Sequence, residues 1–308
     1  MPKALFAEKS PRPDVIYGDD DRLDIYEVQA GRLRELADST VGLFSASDVE
    51  LDESGTRATL NTSSYGDSYS LCSDEPFRDQ RTGAFCSGSL VGPDLIMTAG
   101  HCVRSQSSCE GTKFVFGFAI HEKGVLPESV PAGDVYGCVE LMAREEQSSG
   151  PDWALIRIDR PVTDHALLKV NRSEVLAKGA PLFVIGHPAG LPTKVAGGAS
   201  VRDFERNGYF IANLDTYGGN SGSAVFNAVT GNVEGILVRG EQDFVWADGC
   251  RRSRVCSDDG CRGEDVTKVG ALASRIPDIG PSSAFVKPGP AYSALRKIGG
   301  AAIEPVVP

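Results

Sequence analysis

From Thr40 onward the chain is a series of short apolar runs: TVGLF, TRATL, YSLC, AFCSGSLV, DLIMTA, KFVFGFAI, VYGCVEL and DWALIRI. After residue 180 the series continues with PLFVIG, YFIANL, SAVFN and VEGILV, and Gly, Pro, Asp or Ser bounds each run. Runs of this length with almost no sustained helical period predict short strands in an all-β barrel or sandwich. Two segments break the pattern. GRLRELADS (31–39) has helical spacing at Leu33 and Leu36, and VTKVGALASRI (266–276) reads as a closing helix. Residues 1–14 are polar and Pro-rich and read as a disordered or propeptide-like lead. Residues 241–265 read as a long stapled loop and 277–308 as a Pro-rich, loosely ordered extension. No internal repeat interrupts the 15–276 unit between them.

Composition narrows the function classes. The 308 residues carry 42 acidic and 31 basic side chains, a net charge of −11. A pI near 4.9 argues against nucleic acid as a partner, because phosphate-backbone binding needs clustered Lys and Arg. The apolar runs fall far short of the ~20 residues of a membrane-spanning helix, so no membrane association is expected.

Eight cysteines form an even, dispersed set, which favours disulfides and an oxidising compartment, secreted or periplasmic. Spacing alone leaves 105 pairings. A zinc site at Cys250, Cys256 and Cys261 lacks both a C-x-x-C pair and an adjacent histidine, so neither metal nor cofactor is expected. Residues 1–14 hold no apolar core of a secretion signal, and the expectation is that a leader has been trimmed.

Three local sequences carry chemistry: Thr98-Ala99-Gly100-His101-Cys102, Asp152-Trp153-Ala154-Leu155-Ile156 and Gly218-Gly219-Asn220-Ser221-Gly222-Ser223. They supply a histidine base, a carboxylate at the start of an apolar strand and a serine in a glycine-rich turn, the inventory of nucleophilic acyl transfer. His101 is expected to take the proton of Ser221 and return it to the leaving amine. Asp152 would fix the imidazole tautomer, and the N–H groups of Gly219 and Ser221 would form an oxyanion hole. Asp134, Asp159 and Asp164 are rival carboxylates, but none begins an apolar strand. His121, His165 and His187 read as surface or structural.

These blocks, in His…Asp…Ser order, resemble the chymotrypsin-fold serine endopeptidases. Phe85-Cys86-Ser87-Gly88-Ser89-Leu90 resembles that family's F-C-G-G-S-L strand, and Val266-Thr267-Lys268-Val269 its last strand before a C-terminal helix. The resemblance covers about residues 40–276. It implies two packed six-stranded antiparallel β-barrels with the site between them, a short C-terminal helix and a disulfide Cys86–Cys102. It also implies protein or peptide substrates and a zymogen. A monomer is expected.

Asn220 stands where trypsin-like enzymes carry an aspartate before the nucleophile, and this resembles the glutamyl endopeptidase branch instead. That branch begins its mature chain with V-I…D-R, which Val15-Ile16…Asp21-Arg22 resembles, so Val15 is the expected mature N-terminus. For substrate choice, Asp215 occupies the position of a trypsin-like pocket base and implies cleavage after Arg or Lys. Thr216 with Arg239 implies the alternative, Glu or Asp. The family pairs the segment Val238-Arg239-Gly240 with the substrate backbone. The rival of another class is a binding protein on the same fold that has lost catalysis; such proteins usually lose a triad member, and here none is missing.

Overall fold

The computed structural model describes residues 15–173 and 175–280; the lead at 1–14 and most of the 277–308 extension lie outside them. Six antiparallel strands close the first barrel, in the order 112–115, 135–146, 152–158, 95–98, 86–92 and 40–45, with the last returning to the first. Its interior is filled by Val41, Leu43, Leu90, Ile96, Phe114, Ala154 and Ile156.

A second ring runs 181–186, 224–227, 233–239, 264–268, 209–212 and 194–203, closed by pairing of 181–186 with 194–203. Leu182, Val184, Ala196, Phe210, Val225, Leu237 and Val266 fill it. Two six-stranded barrels are therefore present, as the resemblance implies.

Some strands are apolar on both faces, and the packing explains why. Along 86–92, 95–98 and 152–158, Leu90, Ile96 and Ile156 point into the first barrel. Their neighbours Val91, Met97 and Leu155 pack between the barrels, against Ile185, Ala224 and Ile236. A strand buried on both sides has no polar face to alternate with. The site lies at this seam.

Three expectations need correction. Residues 266–276 are not one helix: Glu264–Lys268 is a strand and only Gly270–Ala273 is helical, as the family resemblance of Val266–Val269 implies, with Leu272 and Ile276 packed into the seam. The β-branched Val266 and Thr267 belong to the barrel, where burial on the pleat suits them. YSLC (69–72) is not a strand; a helical turn, Tyr65–Ser68, precedes it, and Leu71 makes one bridge to Arg251. The strand Lys194–Asp203 has no counterpart among the apolar runs, because Gly197, Gly198 and Ser200 dilute its pattern. The short helix expected at 31–39 spans Arg32–Asp38.

Disulfides join Cys86–Cys102, Cys72–Cys250, Cys109–Cys138 and Cys256–Cys261. The first is the implied pair. Cys72–Cys250 ties the insertion of the first barrel (residues 46–85) to the stapled loop of the second. All three candidate zinc cysteines are consumed in disulfides.

The N-terminal segment belongs to the second barrel. Ile16–Tyr17 runs parallel to Val255–Cys256, and Arg22–Asp24 adds an outer strand against Lys194–Ala196. At the acidic run 19–21, the buried Arg22 clasps Asp20 through two bonds of 2.8 and 2.7 Å.

Two structural histidines give the fold a definite response to pH. The His165 ring stacks on Phe116 at 4.2 Å, with Nδ1 2.9 Å from Asp38 and Nε2 3.5 Å from Asp134. Burial pushes its pKa down, but the two carboxylates outweigh burial and raise it to about 9. The folded state thus holds a proton that the unfolded chain releases near 6.5. The stabilisation is fully present below pH 6.5 and is lost as pH rises towards 9. His187 has the opposite sign: complete burial lowers it to about 4, so stability falls as pH drops from 6.5 towards 4. Thermal unfolding from pH 6 to 9.5 is expected to show a smaller alkaline decline in His165→Gln than in the wild type. Taking the difference between the two proteins isolates this group from Lys194 and Asp215, which also titrate near pH 8. Identical declines would remove His165 from this role.

Candidate active site

His101 follows the strand Leu95–Thr98, and its neighbour Gly100 is needed for closeness. A Cβ on Gly100 would lie 2.1 Å from the Glu145 carbonyl and 2.9 Å from that of Trp153. This approach brings His101 onto Asp152, which is 3% exposed at the head of the strand Asp152–Ile158. Asp152 Oδ1 accepts the His101 backbone N–H at 3.1 Å, and Oδ2 faces Nδ1 at 2.8 Å. One carboxylate thus fixes both backbone and ring, leaving Nε2 as the ring's other nitrogen. Behind it, Thr267 Oγ1 accepts the Asp152 N–H at 3.0 Å.

The glycine-rich turn is shaped by close approach as well. Gly219 and Gly222 have φ of +93° and +92°, a region that favours glycine. A Cβ on Gly222 would sit 2.0 Å from the Ser87 carbonyl, and one on Gly219 2.7 Å from the Gly190 amide. Ser87 Oγ donates to the Gly219 carbonyl at 3.0 Å, and Ser87 N–H donates to the Ser221 carbonyl at 2.8 Å. These bonds tie the turn across the seam to the first barrel. Neighbouring amides are engaged: Gly218 N–H with Asp243, Asn220 N–H with Tyr217 O, Gly222 N–H with Leu237 O. Among the described residues, the N–H groups of Gly219 and Ser221 have no acceptor. Ser87 and Thr267 are partners to which the sequence assigned no role at the site; each entered only as part of a strand motif, Phe85–Leu90 and Val266–Val269.

The residues expected to set specificity lie in different surroundings from one another. Asp215 is 3% exposed, and its carboxyl oxygens accept the N–H groups of Tyr17 at 2.7 Å and Asp21 at 2.9 Å. Burial raises its pKa to about 8, against the two amide hydrogen bonds that lower it. Both oxygens of this carboxyl are thus engaged by the N-terminal segment. The Thr216 Oγ1 is buried with no hydrogen-bond partner among the described residues. Arg239 donates to Asp265 and to the carbonyls of Gln147 and Gly150. Val238 is buried at the end of the strand Val233–Arg239, and Gly240 follows it, also buried.

Ligand atoms of Cys86, His101 and Cys102 cluster closely, but both sulfurs are in one disulfide and offer no thiolate.

Two closed β-barrels with such a seam define the chymotrypsin fold, the architecture of trypsin-like serine endopeptidases. Residues 86–236 match the family model of the trypsin-like peptidase domain. The human chymotrypsin-like elastase family member 3B is 33% identical over 86 residues, covering 26% of this chain and 31% of that protein, so the chain spans under a third of that relative. Among solved structures, a Glu endopeptidase in complex with MPD superposes at TM-score 0.50 with 17% identity, covering 85% of this chain and 96% of that one. The Vibrio cholerae VesB protease gives TM-score 0.48 with 14% identity, covering 85% and 66%. The chain thus carries a trypsin-like peptidase domain across residues 86–236.

Proposed function

We propose that the protein is a secreted serine endopeptidase that cleaves through an acyl-enzyme, with Ser221 as nucleophile, His101 as general base and then acid, and Asp152 as orienter. The observation that carries this reading is the double engagement of Asp152 with His101. It sets the ring so that Nδ1 faces the carboxylate and Nε2 is left for proton transfer. The acceptor-free N–H groups of Gly219 and Ser221 support an oxyanion hole, where each donor is worth roughly 2.7–4 kcal/mol. Retention of every member of the constellation weighs against a silent binding homologue. The proposed mature form begins at Val15, which is fully buried, as are Ile16 and Tyr17 beside Asp215.

For the residue preceding the cut, one observation favours the acidic reading over the basic one. Thr216 presents a buried hydroxyl without a partner, whereas Asp215 is already satisfied. A peptide mixture incubated with the chain beginning at Val15, and read by mass spectrometry, tests both levels. Cuts concentrated after Glu or Asp are expected. Cuts after Arg or Lys that disappear in Asp215→Asn would restore the basic pocket. An absence of all cuts in this form would overturn the endopeptidase reading.

A further inference from the structure

Arg239 stands at the end of the strand Val233–Arg239, with its side chain 21% exposed. Nη1 donates to the Gln147 carbonyl at 2.9 Å, Nη2 to that of Gly150 at 2.7 Å, and Nε to Asp265 Oδ2 at 3.1 Å. Nη1 also lies 3.8 Å from Asp152 Oδ2, the same oxygen that faces His101 Nδ1. Gln147 and Gly150 belong to the turn joining the strand Val135–Glu146 to the strand that Asp152 opens. One guanidinium therefore grips both the turn leading into Asp152 and, by charge, the carboxylate itself.

Its own footing is firm. Asp265 also pairs with Arg262, and Arg262 and Arg254 reach Glu241 at 4.0 and 3.7 Å. The alternating charges run from Asp152 into the loop that Cys256–Cys261 staples. Attraction at this distance is less screened beside a buried carboxylate than in open water, and the planar fork suits several acceptors at once.

We infer that Arg239 is a positioning residue for Asp152: it holds the carboxylate and its turn in the geometry that orients His101. The inference rests on the proposed triad. It also separates Arg239 from substrate recognition, since its Nε and both Nη atoms already donate within the protein.

The test uses the chain beginning at Val15 as wild type, Arg239→Ala and Arg239→Lys, with Ser221→Ala as control. Three quantities are read: the rate of covalent labelling of Ser221 by diisopropyl fluorophosphate, kcat and KM on a quenched peptide, and the effect of added guanidinium ion. Labelling and kcat are expected to fall together by about 10²-fold in Arg239→Ala, the scale of a small misplacement. KM should stay within about twofold if binding is untouched. Arg239→Lys should fall in between, and guanidinium should restore part of the rate in Arg239→Ala but none in the wild type.

Unchanged labelling with a raised KM would make Arg239 a substrate contact and overturn the inference. A loss that neither lysine nor guanidinium relieves would also overturn it, leaving a merely structural residue. If the wild type labels no faster than Ser221→Ala, the triad itself fails, and this inference goes with it.

Discussion

Ser221→Ala is expected to lower kcat by about 10⁶-fold, with KM and the unfolding temperature close to wild type. The large loss follows from chemistry that has no substitute, because without Oγ neither His101 nor Asp152 has a proton to manage. The small structural effect follows from what Ser221 contributes to the fold. Its carbonyl, not its side chain, accepts the Ser87 amide at 2.8 Å, and alanine keeps that bond. Some acceleration over water should persist, since the amides of Gly219 and Ser221 remain to stabilise an oxyanion. Initial rates on a quenched peptide, paired with thermal unfolding, check both halves. Turnover within tenfold of wild type would place the nucleophile elsewhere.

Asp152→Asn is expected to cost about 10⁴-fold in kcat while leaving the fold intact. The amide oxygen of Asn can still accept the His101 backbone N–H, as Oδ1 does now at 3.1 Å. The amide nitrogen would then face Nδ1 in place of Oδ2. Two donors cannot share that 2.8 Å contact, so the ring would carry its proton on Nε2 and lose its capacity as base towards Ser221. The backbone pairing with Thr267 is unaffected by the substitution. Comparison of kcat, KM and melting temperature with the wild type decides the matter. A fall in melting temperature that matched the fall in rate would mean that Asp152 acts on stability rather than on His101.

How much of this was legible in the chain depends on how local each signal is. Barrel strands such as Asp152–Ile158 and Pro181–Gly186 announced themselves as apolar runs between turn residues, because burial on both faces leaves no other pattern. His101 and Ser221 were legible as candidates because each lies in a short block whose glycines are needed for close approach, and Asp152 because it heads an apolar strand. Lys194–Asp203 was hidden by its glycines. The 266–276 segment misled because helical spacing at its end overlapped a strand at its start. The partners of Asp215 were hidden for a deeper reason: they are the amides of Tyr17 and Asp21, almost two hundred positions earlier, and no local pattern records such a meeting. Arg239 has the same history, since the carbonyls of Gln147 and Gly150 come to it only through the packing of two barrels.

The docking of the N-terminal segment on the second barrel has a consequence for how the molecule is made. Strands of the first barrel are complete once residue 158 has left the ribosome, and that barrel can close early. Tyr17 and Arg22 cannot settle then, because their partners at 194–196, 215 and 255–256 do not yet exist. At synthesis rates of about 5–20 residues per second, the opening segment waits on the order of ten to fifty seconds for its seat. Assembly therefore ends with the seating of the segment at 16–24, and Asp215 receives the amides of Tyr17 and Asp21 only after most of the chain has emerged.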